Sequence, residues 1–284
     1  MRLEEYIEQV SDVFVLSDSF LRIKELVDDE ASTIDDISEV ILLDPALAGS
    51  ILKLANSSFF SYPGKIDTIS KAVLVLGITE IYTLVLAYFT TEAFKLDDEN
   101  NDYLEQFWLN SIDCALLIKF LGVHLNVANA ERLFILGLLH NLGELVVHQV
   151  TPEAISRCRE SDLLPWQQQR AVLGFSYGEC SAELLKYWQL PYSLFSSIRN
   201  QDINEVALQS IETQLLYIAK RVTYKSMVMP NESIKALSYQ ELIGEELLEQ
   251  LEITDELLAN AVDYCMLDRM GMLSILCPSA MVIY

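Results

Sequence analysis

The chain has 284 residues, of which 51% are hydrophobic and 21% are charged, and its formal net charge is −23. This composition is too apolar for a disordered chain, and the chain is long enough to bury a core without disulfides. Such an acidic surface repels phosphate backbones and anionic lipid. We therefore expect neither nucleic acid nor a membrane as a partner. The best candidates for a local basic patch are two small sets, Arg157/Arg159 and Lys220/Arg221/Lys225.

Cysteine usage and the N-terminus indicate the compartment. The five cysteines are Cys114, Cys158, Cys180, Cys265 and Cys277. Their odd number and wide spacing predict reduced, buried thiols in a cytoplasmic protein. The N-terminus, MRLEEYIEQV, is acidic and has no long apolar stretch, so we expect no signal peptide. The most apolar window, Ala72–Phe89, is interrupted by Gly77 and Glu80, which predicts two core helices rather than a membrane span.

Helical periodicity dominates the first hundred residues. Asp44-Pro45 predicts a cap followed by proline at the first helical position, and Thr33 is expected to begin the preceding helix. Thr68 is expected to cap a helix that Gly77 ends, and a further helix is predicted over about residues 79–94. The polar run at residues 95–102 predicts a surface loop.

The remainder of the chain continues this pattern. A helix is predicted from about residue 103 to 121, closed by Gly122, and Asn129 is expected to cap a buried helix that contains Leu133–Leu139. Ser176 is expected to cap a later helix, and further helices are predicted over about residues 205–225 and 254–270, separated by a loop at 229–231. Because period-2 alternation is absent, the predicted fold class is all-α. The apolar residues 275–284 are expected to dock on the core or on a partner, which hints at a homo-oligomer.

Three histidines, His124, His140 and His148, are available for chemistry. His140 stands at the end of the apolar run LFILGLLH and directly before Asn141. A histidine in that place is either functional or a hydrogen-bonded core residue, and taken alone it favours the core interpretation. Glu144 could supply a carboxylate near His140, although a helix-surface acid is the simpler interpretation. Cys114 could form a nucleophilic pair with His140, although a buried structural thiol fits better.

The stretch LLHNLGELVV resembles the LLHDIGKLVL motif of the HDOD domain, a branch of the HD superfamily. Residues 42–81, FWLNSIDCALL and GFSYGECSAELLKYWQLP resemble further blocks of that family in the same order, so the resemblance covers about residues 15–203. It implies an HD/HDOD-like multi-helix bundle with an N-terminal helical subdomain over residues 1–205. Residues 206–284 would form a C-terminal helical extension that packs onto this domain. A cleft between the subdomain and the bundle is the expected place for a ligand or partner.

The HD resemblance also identifies the positions of a metal site. HD enzymes are metal-dependent phosphohydrolases whose His and Asp residues bind one or two divalent ions. At the comparable positions this chain has Asn110, His140-Asn141, Ser176-Tyr177 and Asn200-Gln201, and the superfamily's last Asp ligand has no evident match. One imidazole and no carboxylate survive, and neutral amide oxygens bind hard cations weakly. Two interpretations stay open, a metal-free cluster of hydrogen-bonded side chains and a working metal site.

The resemblance implies a non-catalytic bacterial signalling or regulatory module that needs no cofactor and recognises a protein of a signalling pathway or a ligand. The alternative is a metal-dependent phosphohydrolase that acts on a nucleotide or phosphoester and uses Mn, Fe, Ni, Zn or Mg. A third interpretation is a sensor that retains the pocket for an anionic or nucleotide ligand without turnover.

Overall fold

The computed structural model describes residues 1–29, 31–57, 60, 62, 64–94, 101–128, 130–159, 163–226 and 232–276. Several sequence predictions lie outside these residues. They are the loop at 95–100, the cap at Asn129, the loop at 229–231, Cys277, and the apolar C-terminal residues 277–284.

The described residues are helical and include no β-strand, which confirms the all-α prediction. The helices are α1 (Leu3–Val10), α2 (Asp18–Asp28), α3 (Ile34–Leu42), α4 (Pro45–Ala55), α5 (Ile69–Leu76), α6 (Ile78–Ala93), α7 (Asn101–His124), α8 (Glu131–Leu139), α9 (Gly143–Val150), α10 (Pro152–Arg159), α11 (Pro165–Leu173), α12 (Tyr177–Tyr187), α13 (Tyr192–Arg199), α14 (Ile211–Ser226), α15 (Glu232–Ala236), α16 (Tyr239–Ile243), α17 (Glu245–Gln250) and α18 (Asp255–Leu276). A 3-10 helix at Val206–Leu208 precedes α14.

The chain divides into two compact units. Unit 1 comprises Met1–Val13 and Asn110–Leu267, and unit 2 comprises Phe14–Leu109 and Asp268–Tyr284. The predicted C-terminal extension, residues 206–284, is thus shared between the units, and its packing onto the HDOD-like domain stays a prediction.

Unit 2 begins its helices with side-chain caps that the sequence predicts. The Asp44 carboxylate accepts hydrogen bonds from the backbone amides of Ala46 and Leu47 at 3.0 and 3.1 Å, and Pro45 occupies the first helical position. Thr68 caps α5 through the Lys71 amide. These caps satisfy amides that have no partner within the helix, which fixes where each helix begins. Gly77 ends α5 with a φ of 90°, a conformation that side chains with a Cβ rarely adopt.

Unit 1 brings α7 and α8 unusually close together. A Cβ built on Gly137 would lie 2.4 Å from the Cα of Ala115, so the two backbones touch where α8 crosses α7. Gly143 serves the same purpose at the start of α9, since its Cβ would lie 2.2 Å from the carbonyl oxygen of Tyr177 on α12. Small residues at these crossings place the turn between α8 and α9 deep inside unit 1.

Three predicted helix boundaries are wrong. Gly122 does not close α7, which continues to His124; its missing Cβ instead makes room for Leu133, whose Cδ1 would lie 2.1 Å from such an atom. Helix α14 begins at Ile211 because Ser210 accepts a hydrogen bond from the Thr213 amide. Helix α18 continues past residue 270 to Leu276, where the Thr91 hydroxyl donates to the Leu276 carbonyl at 2.9 Å.

Two segments among the described residues are long and apolar enough to cross a membrane by length and composition. They are Asp102–His124 and Arg132–Val150, and 67% and 72% of their most apolar windows are buried inside the structure. The two helices predicted in the window 72–89 are present as α5 and α6, and the chain bends by 119° between them.

The helix crossing at Gly137 predicts an asymmetry between two glycine substitutions. Gly137→Ala should lower the free energy of unfolding by about 1–3 kcal/mol, because the new methyl overlaps the Ala115 backbone. Gly49→Ala in α4 is the control, since no atom lies within 4 Å of its Cβ position, and it should raise the stability by up to about 1 kcal/mol. Urea denaturation of both variants measures the difference, and equal midpoints would contradict the close crossing.

Candidate functional site

His140 lies in the turn that joins α8 to α9. Its side chain is buried, and Nδ1 lies 2.6 Å from the carbonyl oxygen of Gly137. Because a carbonyl only accepts, Nδ1 carries the hydrogen and Nε2 retains the lone pair. The carbonyl of His140 itself accepts hydrogen bonds from Ser181 Oγ at 3.2 Å and Gln201 Nε2 at 2.9 Å. The turn is therefore held by α12 and by the segment after α13.

Burial, and to a lesser extent the positive charge of Lys220, lower the pKa of His140 to about 4. The hydrogen bond to Gly137 and the negative charge of Asp202 oppose this shift. The imidazole is therefore neutral at physiological pH, and it lies within electrostatic range of one buried cation and one buried anion.

Asp202 is the buried carboxylate beside this turn. It follows Gln201 at the end of α13, and its side chain is fully shielded from solvent. Its Oδ2 lies 2.6 Å from Lys220 Nζ, and its Oδ1 lies 3.6 Å from Arg221 Nη1. Both cations come from α14, so one carboxylate ties the end of α13 to the middle of α14.

Lys220 and Arg221 are also buried, so the prediction that they are candidates for a surface basic patch is wrong. Arg221 is held between two aromatic rings, with its guanidinium carbon 4.1 Å from the Trp166 centroid and 3.2 Å from the Tyr217 centroid. The Lys220 ammonium lies 5.0 Å from the Trp166 centroid. Burial lowers the pKa of both cations, and the Asp202 charge opposes that shift in each case. Aromatic faces and a carboxylate thus replace the water that these cations have lost.

The remaining predicted positions have separate partners. Asn141 Nδ2 donates to Glu144 Oε2 at 2.6 Å, and Glu144 Oε1 also contacts Arg159 at 2.8 Å. Asn200 Nδ2 donates to Gln209 Oε1 at 3.3 Å. The structure therefore directs the side chains of Asn141 and Asn200 to neighbours other than His140.

Three predicted positions on α7 and at the start of α12 complete the set. Tyr177 is buried, its amide donates to Gln169 Oε1 at 2.9 Å, and its carbonyl accepts from Ser181 Oγ at 2.9 Å. Asn110 is half-buried within α7. Ser176 caps α12 through the Glu179 amide, as the sequence predicts. The predicted position Gln201 does contact the turn at His140, through the hydrogen bond that its side chain donates to the His140 carbonyl.

Cys114 cannot act as a nucleophile in its observed surroundings. The four described cysteines, Cys114, Cys158, Cys180 and Cys265, are buried thiols outside any disulfide, as predicted. Burial raises the pKa of Cys114 to about 12, while Lys220 opposes that shift. The reactive form of cysteine is the thiolate, so this thiol stays inert near neutral pH.

The described donor set does not fit the divalent ion that the HD resemblance implies. Within the described ranges, no three His, Cys, Asp or Glu side chains converge as metal ligands do. His140 offers one nitrogen, and both oxygens of Asp202 already face cations. A divalent ion in protein needs several anionic or imidazole donors free to turn towards it. No reaction step through a metal follows from these residues.

Sequence reasoning missed Asp202, Lys220 and Arg221 as members of the site. One signal was available, because Lys220 and Arg221 occupy the middle of a helix whose neighbours Ala219 and Val222 are apolar. A charged pair in such a run is compatible with internal cations, which would require a buried carboxylate, although a solvated pair is the default interpretation.

Comparison with known proteins gives a family match over most of the chain. The HDOD domain model matches residues 14–203. An uncharacterized protein of Treponema pallidum is 26% identical over 197 residues, which is 68% of this chain and 38% of that protein. The chain thus spans well under half the length of that curated relative.

Solved structures with the same fold include an HDOD domain protein of unknown function from Geobacter sulfurreducens. It has a TM-score of 0.70 and 20% identity, and the match covers 97% of this chain and 98% of that chain. A phosphohydrolase candidate from Shewanella amazonensis has a TM-score of 0.66 and 22% identity, covering 92% and 97%. A candidate signal transduction protein from Marinobacter aquaeolei has a TM-score of 0.62 and 19% identity, covering 95% and 60%.

The surroundings of His140 predict its protonation behaviour. In an ¹⁵N-edited NMR titration, its imidazole should remain the Nδ1–H tautomer from pH 8 to pH 5 and titrate near pH 4. Because the folded pKa lies below the unfolded value of about 6.5, the unfolded state binds more protons in between, and stability falls as the pH drops from about 6.5 to 4. At pH 4 the free energy of unfolding should be lower by about 3 kcal/mol than at neutral pH.

A His140→Gln variant assigns the NMR signal and should lack this part of the pH dependence. Titration of the assigned imidazole above pH 6 would contradict the buried, neutral state.

Proposed function

Because this chain belongs to the HDOD domain family, we propose that it is a non-catalytic signalling or regulatory module of a bacterial cytoplasm that acts by recognising another protein. It uses no metal and no organic cofactor. The observation that carries the proposal is the engagement of Asp202 by Lys220 and Arg221 beside His140. A hydrolytic site needs carboxylates free to bind an ion or to move a proton, and this one is committed to two buried cations.

The acidic balance of the chain supports a protein partner with a basic surface. A net charge of −23 steers oppositely charged surfaces into encounter and repels nucleic acid and anionic lipid. The same charge disfavours a sensor for nucleotides or other anions. Self-association through the apolar C-terminal residues is a further element of the proposal, and its residues 277–284 lie outside the described ranges.

A metal-dependent phosphohydrolase is the second candidate function. It is favoured by the names given to similar structures. Two Shewanella amazonensis structures of 22% and 19% identity are described as phosphohydrolase candidates. The Marinobacter aquaeolei structure, at 19% identity, is described as a candidate signal transduction protein. Likeness at this level of identity speaks for the fold alone, so the choice between the two functions rests on the residues.

A metal and turnover assay separates these two functions. Protein purified without chelators should contain less than stoichiometric Mn, Fe, Ni, Zn and Mg by elemental analysis. With each ion added, phosphomonoester and phosphodiester hydrolysis should equal that of His140→Ala. Stoichiometric metal together with turnover that is lost in His140→Ala would establish the phosphohydrolase and overturn the proposal.

Two further measurements address recognition. In a thermal-shift screen, cyclic dinucleotides should leave the melting midpoint unchanged, because a ligand that prefers the folded state would raise it. Cross-linking in the source cells followed by mass spectrometry should yield a basic protein partner whose capture weakens as salt rises. A saturable midpoint increase with a nucleotide would favour the sensor instead.

A further inference from the structure

Lys220 is the charged group at the centre of the buried site. Its ammonium contacts Asp202, and its charge acts on the pKa of both His140 and Cys114. These three residues belong to different elements of unit 1: the segment after α13, the turn after α8, and helix α7. One positive charge on α14 therefore contacts Asp202 after α13 and acts electrostatically on the turn after α8 and on helix α7. These three elements are far apart in the sequence.

Opposite charges are paired around Lys220. Asp202 is a carboxylate with 5% exposure, and Lys220 and Arg221 are cations with 8% and 3% exposure. Asp202 contacts both cations. Isolated ions at this depth cost several kcal/mol each, so the set is stable only when opposite charges meet. A dication added beside Lys220 and Arg221 would bring further positive charge into the core.

We propose that the Lys220 ammonium takes the electrostatic place of the divalent ion in this site, as an internal cation that joins α14 to Asp202, whose neighbour Gln201 binds the turn at His140. The protein thereby keeps the metal-type cross-link between helices without needing a metal. This inference concerns the buried site alone, and it holds or fails independently of partner recognition.

The polar atoms near Asp202 favour a cation rather than a neutral group at the position of the Lys220 ammonium. Gln201 is fully buried, and its Oε1 has no hydrogen-bond partner within the described residues. Its Nε2 is used by the His140 carbonyl. Asp202 and Gln201 therefore supply buried oxygens that favour positive charge nearby. Truncation of Lys220 removes the cation nearest to the Asp202 carboxylate, a place that a small hard cation could take.

The experiment compares melting midpoints in metal-free buffer with and without MnCl₂, using the full chain. The wild-type midpoint should not change with Mn²⁺. Lys220→Ala should melt roughly 10 °C lower, because it leaves the Asp202 carboxylate buried with a single, more distant cation. Mn²⁺ should recover part of that loss, and it should recover none of it in Lys220→Ala/Asp202→Asn. Lys186→Ala, which removes an exposed ion pair with Glu183, is the matched control and should change neither property.

Three results would overturn the internal-cation proposal. The first is a wild-type protein stabilised by Mn²⁺ in a manner that Asp202→Asn abolishes. The second is a Lys220→Ala variant that melts like wild type. The third is a destabilised Lys220→Ala variant with no response to Mn²⁺. If Lys220→Ala does not fold, Lys220→Gln replaces it, with Mn²⁺ binding followed by electron paramagnetic resonance; bound Mn²⁺ supports the proposal and its absence overturns it.

Discussion

The desolvated carboxylate of Asp202 is the constraint on which the centre of unit 1 depends. A carboxylate that has lost its water must meet cations at short range, and Asp202 meets Lys220 at 2.6 Å and Arg221 at 3.6 Å. Those cations have lost their own water and rely on Asp202 and on the rings of Trp166 and Tyr217. Removal of one partner leaves an uncompensated buried charge, so the ions hold the end of α13 and the middle of α14 in one arrangement.

Hydrogen bonds to the backbone extend this arrangement to the turn at His140. Gln201, next to Asp202, donates to the His140 carbonyl, and Ser181 donates to the same atom from α12. Glycine makes this possible, because Gly137 lets α8 approach α7 and Gly143 lets α9 approach α12. The site is thus a structural crossing of several helices whose polar groups are largely committed to neighbours.

Local signals in the sequence predict much of the fold. The caps at Asp44, Thr68 and Ser176 act through side chains a few residues from the amides they satisfy, so no tertiary knowledge is required. Gly122 shows the limit, because a glycine in a helix is equally compatible with an end and with a close crossing. Only the position of Leu133 on a neighbouring helix decides between them.

The candidate site is only partly predictable for the same reason. His140 is identified by its place after an apolar run, but Asp202 and Lys220 are 18 residues apart and meet only when α13 and α14 pack. A lysine and an arginine in sequence also indicate a solvated surface by default, and burial among aromatic rings reverses that interpretation.

Crystals of the wild-type chain grown with millimolar MnCl₂ and measured near the manganese absorption edge test the internal cation most directly. The account predicts no anomalous peak near residue 140 and an ammonium nitrogen within hydrogen-bond distance of the Asp202 carboxylate. An anomalous peak bonded to both Asp202 and His140, with Lys220 displaced, would contradict it.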